Sequence, residues 1–418
     1  MDTAGALHGI RVIGVEHFIS APFCTQILAD QGADVIKVEP PAAEQRNGYF
    51  HTLNRNKRSV VLDLKAESGR EALRALAATA DVLVTNFAAD VPTRLGFGYE
   101  DLAAVNPRLV YVHVTGFGQN SPYRSRPAFD GVIQAMSGMM HLTGEPDGPP
   151  MLSGLFIPDH LTGLYAALAT SFALQRREAT GTGSFVDLAM LDCLMSFLAG
   201  SFHEVLQHGI RPERIGSRVR GSFASTYRAA DGYVYLAPLT ARMWEAVSRV
   251  VGQPWFLEHF STTSGGVDTR LDPETRPRLD GAIESWTSGQ SVADVVRLMS
   301  EAGVAASPIL AVEDLPDDPH VVARRMIRTV PHRGRGHGGS TPDVVYVAGS
   351  PIPVTESTFS VGPPVAGEHT AEILAELGLS PVEVTDISDT IPRPIGDDLG
   401  EAGMNERSVP EAVDGSGR

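Results

Sequence analysis

Apolar runs alternating with helical stretches constrain the N-terminal half of this chain more than any other feature. IRVIGVE (10–16), DVIKVE (34–39), DVLVTNF (81–87) and NPRLVYVHVTGFG (106–118) read as strands. Between them, PFCTQILADQGA opens with Pro22 and SGREALRALAATA (68–80) has helical spacing. Strand–helix–strand succession predicts a parallel, doubly wound α/β sheet, whose ligands bind beyond the strands' C-terminal ends. No GxGxxG follows the first strand, so a dinucleotide fingerprint is absent. An alternating run, VVLDL (60–64), predicts a further strand, and SFVDLA (184–189) another.

At 418 residues the chain is long enough for two domains. Residues 1–208 form the first part of the large one, and the Gly- and Arg-rich stretch 209–224 reads as a linker. A smaller α+β domain is expected over 225–325, with a turn at Asp231-Gly232 and an amphipathic helix around Trp244. Residues 326–385 return to strands and a helix. The tail 386–418 holds eight acids, three arginines and no aromatic residue, a composition that predicts disorder.

The formal net charge of −16 argues against nucleic acid or an anionic membrane as partner, although a local basic pocket can still bind an anion. No apolar run is long enough to span a membrane, and the N-terminus lacks a secretory pattern. The only two cysteines, Cys24 and Cys193, lie in apolar segments with no metal-ligand spacing, so reduced packed thiols and a cytoplasmic protein are expected. No metal site is expected.

One carboxylate stands out. Asp159 sits where LFIP gives way to the apolar, Ala-rich run LTGLYAALATSFALQRRE. An Asp in that place is commonly an N-cap. It is also a candidate nucleophile, since aspartate forms covalent acyl intermediates and a helix N-terminus holds it ionised. Position alone leaves both open.

The surrounding motifs carry a resemblance. Phe129-Asp130, QAMSG (134–138), Asp159, Gly163 and TGTG (180–183) occur in an order that resembles the class III CoA-transferase family. The opening turn with TQILADQGADVIKVE, the run NRNKRSVVLDLK (54–65), and Asn86-Phe87 with Arg94 resemble it too. The resemblance covers roughly residues 8–385. It implies a Rossmann-like CoA-binding domain, a smaller middle domain, and a homodimer of interlocked rings. It implies acyl-CoA and a carboxylic acid as substrates, with no tightly bound cofactor, and Asp159 as the catalytic nucleophile. It implies CoA contacts at His17, Ser20, Leu62, Lys65, Asn86, Phe87 and Arg94.

Departures narrow this. The family's Gln before the conserved Pro is here Ile19, an adenine-side Arg is Pro40, and a Lys before the aromatic position is Pro127. Arg46, Lys57 and Arg58 are the candidates to replace those contacts; unaided, such a basic cluster reads as solvated surface or as a phosphate contact. The family's glycine run, associated with oxalate use, is absent from GSRVRGSFA (216–224), where Arg218 and Arg220 read as linker residues or as partners of a substrate carboxylate. The racemase branch needs a His where Phe129 stands, and Phe carries no proton. His141 and His160 read as surface or packed residues. The alternatives are thus a 2-methylacyl-CoA racemase or a non-catalytic acyl-CoA-binding subunit.

Overall fold

The computed structural model describes residues 5–41, 48–219, 222–259, 275–332, 344–354 and 356–379. Six parallel strands form the main sheet: β1 (Arg11–Val15), β2 (Asp34–Glu39), β3 (Lys57–Val61), β4 (Val82–Thr85), β5 (Val110–Thr115) and β6 (Ser184–Ala189). Their order is β3-β2-β1-β4-β5-β6, so strand order, not strand direction, reverses between β1 and β4. That is the doubly wound arrangement, and its switch point lies beyond the C-terminal ends of β1 and β4.

Side-chain alternation along the strands splits the core in two. Val12, Val84 and Val112 face α1 (Ser20–Asp30), while Ile13, Leu83 and Tyr111 face α2 (Glu67–Ala78) on the other side. Next in the chain come α3 (Asp130–Ser137) and α4 (Ile157–Thr180), the latter packed along α1. A three-stranded antiparallel sheet follows, of β7 (Ser225–Arg228), β8 (Tyr233–Ala237) and β9 (Ala305–Pro308). It shares its own core with α5 (Ala241–Val251), α6 (Thr275–Thr287) and α7 (Val292–Glu301), where Trp244 stacks between Phe223 and Phe256. Asp231-Gly232 makes the turn between β7 and β8, as its residue types predict. A hairpin of β10 (Ile327–Pro331) and β11 (Val344–Ala348) leads to α8 (Thr370–Glu376), which returns Ile373 and Leu374 to the main core. This return also covers the edge of β3: His369 donates its N–H to the Ser59 carbonyl (3.0 Å), and Val61 N–H donates to Thr370 Oγ1 (3.1 Å).

Two sequence expectations change here. The strand expected at 60–64 runs instead from Lys57 to Val61. The basic run in front of it is neither solvated surface nor a phosphate contact. Lys57 lies at the start of the strand, fully buried, with Nζ donating to Glu16 Oε1 (2.9 Å), the Pro22 carbonyl (3.0 Å) and Asn54 Oδ1 (2.9 Å). Arg55, also buried, is bonded to Asp30, and Arg58 spans Asp34, Glu372 and Glu376. These ion pairs outweigh the apolar alternation that suggested a later strand. Arg46 and the tail 386–418 lie outside the described residues.

Glu16 is the centre of the buried cluster. Burial alone would raise its carboxyl, but Lys37 and Lys57, with bonds from Lys57 and Thr25, outweigh that and bring it down to about 2. Removing one partner from such a cluster leaves a buried charge short of its counter-charge. Lys57→Met is therefore expected to cost about 3–5 kcal/mol, read as a lower guanidinium midpoint. Arg297→Met, which breaks only solvent-exposed pairs to Asp294 and Glu301, should leave that midpoint where it is.

Candidate active site

The turn after β1 forms one wall of the site. Asn86, just past β4, pins that turn in the manner of a backbone amide. Its Oδ1 accepts from the His17 N–H (2.9 Å), and its Nδ2 donates to the His17 carbonyl (2.8 Å) and to Ser20 Oγ (3.2 Å). Phe87 meets the His17 ring edge-on, with centroids 4.3 Å apart. Phe18 takes a left-handed φ of 55°, costly for a bulky residue, and its ring is 70 % exposed. It meets the equally prominent Phe129 edge-on at 5.9 Å.

Asp159 comes from the opposite wall. The helix α4 begins at Ile157, with Phe156 as its cap residue and Pro158 in its first turn, so Asp159 lies inside the first turn and the N-cap reading is corrected. Pro158 has a preset helical φ and no N–H to satisfy, which starts the helix ahead of the acid. Gly163, one turn on, allows α4 to lie against the start of α1. A Cβ there would stand 2.5 Å from the Ser20 carbonyl oxygen and 3.0 Å from the Phe23 ring. The two helix N-termini thus converge, and the Ser20 side chain and backbone both favour the ionised form of the Asp159 carboxyl.

A second carboxylate stands beside it. Asp130, the first residue of α3, accepts from Gln134 Nε2 (2.6 Å) and from the Asp159 backbone N–H (3.2 Å). Gln134 in turn holds the approach to α4, accepting from Ser153 N–H (3.0 Å) and donating to the Leu155 carbonyl (3.3 Å). Burial raises the Asp159 carboxyl first and the Asp130 charge raises it further; Ser20 and His160 pull it back, leaving it at about 6. Asp130 is raised as well, by burial.

Between the walls lies a cavity of about 530 Å³. It brings together Asp159, His17, Ser20, Asn86, Phe87 and Arg94 from the sequence analysis. It does not bring in Leu62, which is buried in the core, or Lys65, which is exposed in the turn before α2. Arg218 pairs with Asp280 away from this cavity, and Arg220 lies outside the described residues. His160 bonds the Phe156 carbonyl (2.7 Å) and packs on Phe23, and His141 is exposed. Among the lining cations, two were missed, Arg124 and Arg126. Their only signal was their place just ahead of Phe129-Asp130, which no spacing rule marks. Among the described residues no group of three or more His, Cys, Asp or Glu is placed to hold a metal.

Such a site can offer an ionised carboxylate, aligned by backbone N–H groups and flanked by apolar rings, to an electrophilic carbonyl.

The chain is also similar to known proteins. Residues 7–370 match the family described as CoA-transferase family III. A succinyl-CoA:mesaconate CoA-transferase from Haloarcula marismortui is 33% identical over 397 residues, covering 90% of this chain and 97% of its own length. A formyl-CoA:oxalate CoA-transferase from Streptomyces coelicolor is 34% identical over 418 aligned positions, covering 91% and 98%. The crystal structure of a CAIB/BAIF family protein from Brucella suis superposes with a TM-score of 0.77 at 32% identity, covering 90% of this chain and all of that one.

Holding Asp159 ionised costs the fold stability. The raised carboxyl means the folded state binds a proton that the unfolded chain releases at lower pH. The contribution is therefore fully present below pH 3.8 and is lost as pH rises through about 6. Asp159→Asn is expected to gain on the order of 1–3 kcal/mol over wild type above pH 6, and nothing at pH 3 to 4. Denaturant unfolding at the two pH values checks this; a gain that is the same at both would mean that charge is not its cause.

Proposed function

The chain belongs to CoA-transferase family III and is a CoA-transferase; from that premise we propose that it works through covalent intermediates on Asp159. An Asp159 oxygen attacks the thioester carbonyl of the donor acyl-CoA, the C–S bond breaks, and CoA thiolate leaves a mixed acyl-aspartyl anhydride. The thiolate then attacks the Asp159 carbonyl carbon, expelling the donor acid as its carboxylate and leaving an aspartyl-CoA thioester. The acceptor carboxylate attacks that thioester to form a second anhydride, and the returning thiolate takes the acceptor acyl group. Asp159 ends as the carboxylate it began as, with no net proton consumed. Each linkage is exchanged for one of similar energy, so the reaction needs no other source of free energy.

The observation that carries this reading is the convergence of the α1 and α4 N-termini on a carboxylate raised to about 6. At neutral pH it is ionised yet more basic than an ordinary aspartate, as a nucleophile should be. Ser20 N–H and neighbouring first-turn donors supply hydrogen bonds to oxyanions formed at that carbon. Asp130 and Gln134 hold the backbone of Asp159 in place. Phe18 and Phe129 offer an apolar rim for the acyl and pantetheine parts. CoA is substrate here, and no tightly bound cofactor is needed.

The named relatives above use a CoA ester with a dicarboxylic acid, and the missing glycine run at 216–224 disfavours oxalate. A succinyl-class donor with a second small dicarboxylate is the first pair to try. A racemase would need a base in place of Phe129, and His160 faces Phe23 instead. The two buried free thiols, Cys24 and Cys193, fit a cytoplasmic setting, and no helix among the described residues is long and apolar enough to cross a membrane.

We also take the working unit to be a homodimer of interlocked rings. Its large domain would comprise 1–208 and 326–385, its small domain 225–325, with 209–224 as a linker. Leu164, Leu168 and Phe172 make an exposed apolar stripe at i, i+4 spacing on α4, suited to burial against a second copy. Sedimentation velocity should give a dimer; a stable, active monomer contradicts this arrangement.

Peptide mass spectrometry after incubation with succinyl-CoA and then hydroxylamine is expected to place a hydroxamate on Asp159. Asp159→Asn should show none and lose transfer by at least about a thousandfold. If acetyl-, succinyl- and 2-methylacyl-CoA all leave Asp159 unlabelled while the last exchanges its C2 hydrogen in D₂O, the enzyme is an isomerase.

A further inference from the structure

Arg124, one of the cavity arginines that the sequence did not single out, is held in a way that suggests a use. The wall from Phe129 back to Arg124 is continuous chain, and all six of its residues line the cavity. Its near end adjoins Asp130, which bonds the Asp159 backbone, so Arg124 lies farther along the wall from the nucleophile. The side chain is gripped from two sides of different character. Its Nε donates to Gln119 Oε1 (3.1 Å), and its Nη2 contacts Asp90 Oδ1 (2.6 Å).

The Gln119 side is built in. Gln119 Nε2 lies 3.0 Å from His113 Nδ1, and His113 Nε2 lies 2.8 Å from the Phe87 carbonyl oxygen. That carbonyl can only accept, so His113 carries its proton on Nε2 and leaves Nδ1 to accept from Gln119. The Gln119 amide is thereby fixed with its oxygen toward Arg124. Burial holds His113 neutral. A directed set of hydrogen bonds thus runs from the cavity wall at Phe87 to the guanidinium.

The Asp90 side is not built in. Both partners are well exposed, at 41 % and 58 % of their side-chain surface, and an ion pair in water contributes little. A phosphate presents the same charge with more acceptor oxygens, matched to the guanidinium fork. Asp90, Arg94 and Arg124 all line the same cavity, and Arg126 lies beside them with its guanidinium over the Tyr123 ring at 4.1 Å.

We propose that Arg124 receives a phosphate group of the CoA substrate, exchanging Asp90 for it while Gln119 keeps the guanidinium aimed into the cavity. This rests on the reading of the chain as a CoA-transferase and supplies a cation where Pro127 has removed one. Arg46, Lys57 and Arg58, the candidates from sequence, are either outside the described residues or committed to carboxylates.

The test is calorimetric binding of CoA, dephospho-CoA and pantetheine to the full chain. Arg124→Ala is expected to weaken CoA by roughly 10- to 100-fold and leave pantetheine unchanged, as loss of a charge-assisted contact to phosphate requires. Asp90→Asn, which removes the competing carboxylate, should tighten CoA a few-fold. An Arg124→Ala loss that persists with dephospho-CoA assigns the contact to the diphosphate; one confined to CoA assigns it to the 3′-phosphate. Equal losses for CoA and pantetheine, no loss for CoA, or no gain from Asp90→Asn overturn the proposal. A wild-type chain that binds no CoA ends the functional reading with it, whereas wild type and Arg124→Ala binding CoA alike end this proposal alone.

Discussion

The close contact between Gly163 and the carbonyl of Ser20 is the constraint on which the site depends. It sets how near α4 can come to the first turn of α1, and so whether Ser20 can reach the Asp159 carboxylate. A side chain at position 163 would clash with the Ser20 carbonyl and push the two helices apart. The same contact brings Asp159 under cover of α3, where the Asp130 charge lies beside it. One missing Cβ therefore links helix packing, the position of Asp159 and the basicity of its carboxyl.

That first turn of α1 needs support from below, and the Glu16 cluster provides it. Lys57 reaches across from β3 to Glu16 and also to the carbonyl of Pro22, which belongs to α1. The buried charges tie the β1–α1 connection to two neighbouring strands at once, since Lys37 of β2 bonds Glu16 too. Apolar replacements could fill the same space, often with no loss of stability. They could not donate to the Pro22 carbonyl or hold an adjacent loop against rotation. The cluster is better understood as fixing geometry, with the left-handed strain at Phe18 held in place by Asn86 and this anchor together.

Much of this was legible in the residues. Val- and Ile-rich runs at 12–15, 35–38, 82–84 and 110–114, short and separated by helical stretches, point to parallel strands covered on both faces. Position alone left Asp159 open between a cap and a nucleophile, and motif resemblance is what put Arg94 among the candidate contacts. Lys57 was misread because burial of a lysine depends on Glu16, forty-one positions away, and single-sequence patterns carry no such pairing. Arg124 and Arg126 escaped for a related reason: a loop arginine gains its meaning from what the fold sets opposite it, here Asp90 and Gln119. Leu62 and Lys65 carry a family role to positions that this chain places in the core and in an outer turn, away from the cavity lining.

The carboxyl at about 6 also suits the two opposite tasks that the proposed mechanism gives Asp159. As attacker it must be ionised, and at pH 7 a group with that value is roughly nine-tenths so. As leaving group, when an anhydride is opened at the substrate carbonyl, it must depart as a weak base. An unperturbed aspartate leaves well and attacks poorly, whereas a carboxyl raised by several units more would be mostly protonated and unable to attack. Burial alone raises the carboxyl, Asp130 adds to that, and Ser20 restrains it by hydrogen bonds that favour the ion. The balance is local to three residues, so it can be adjusted without altering the sheet that carries them. Exchange between acids of similar strength requires such an intermediate group, neither a strong base nor an idle one.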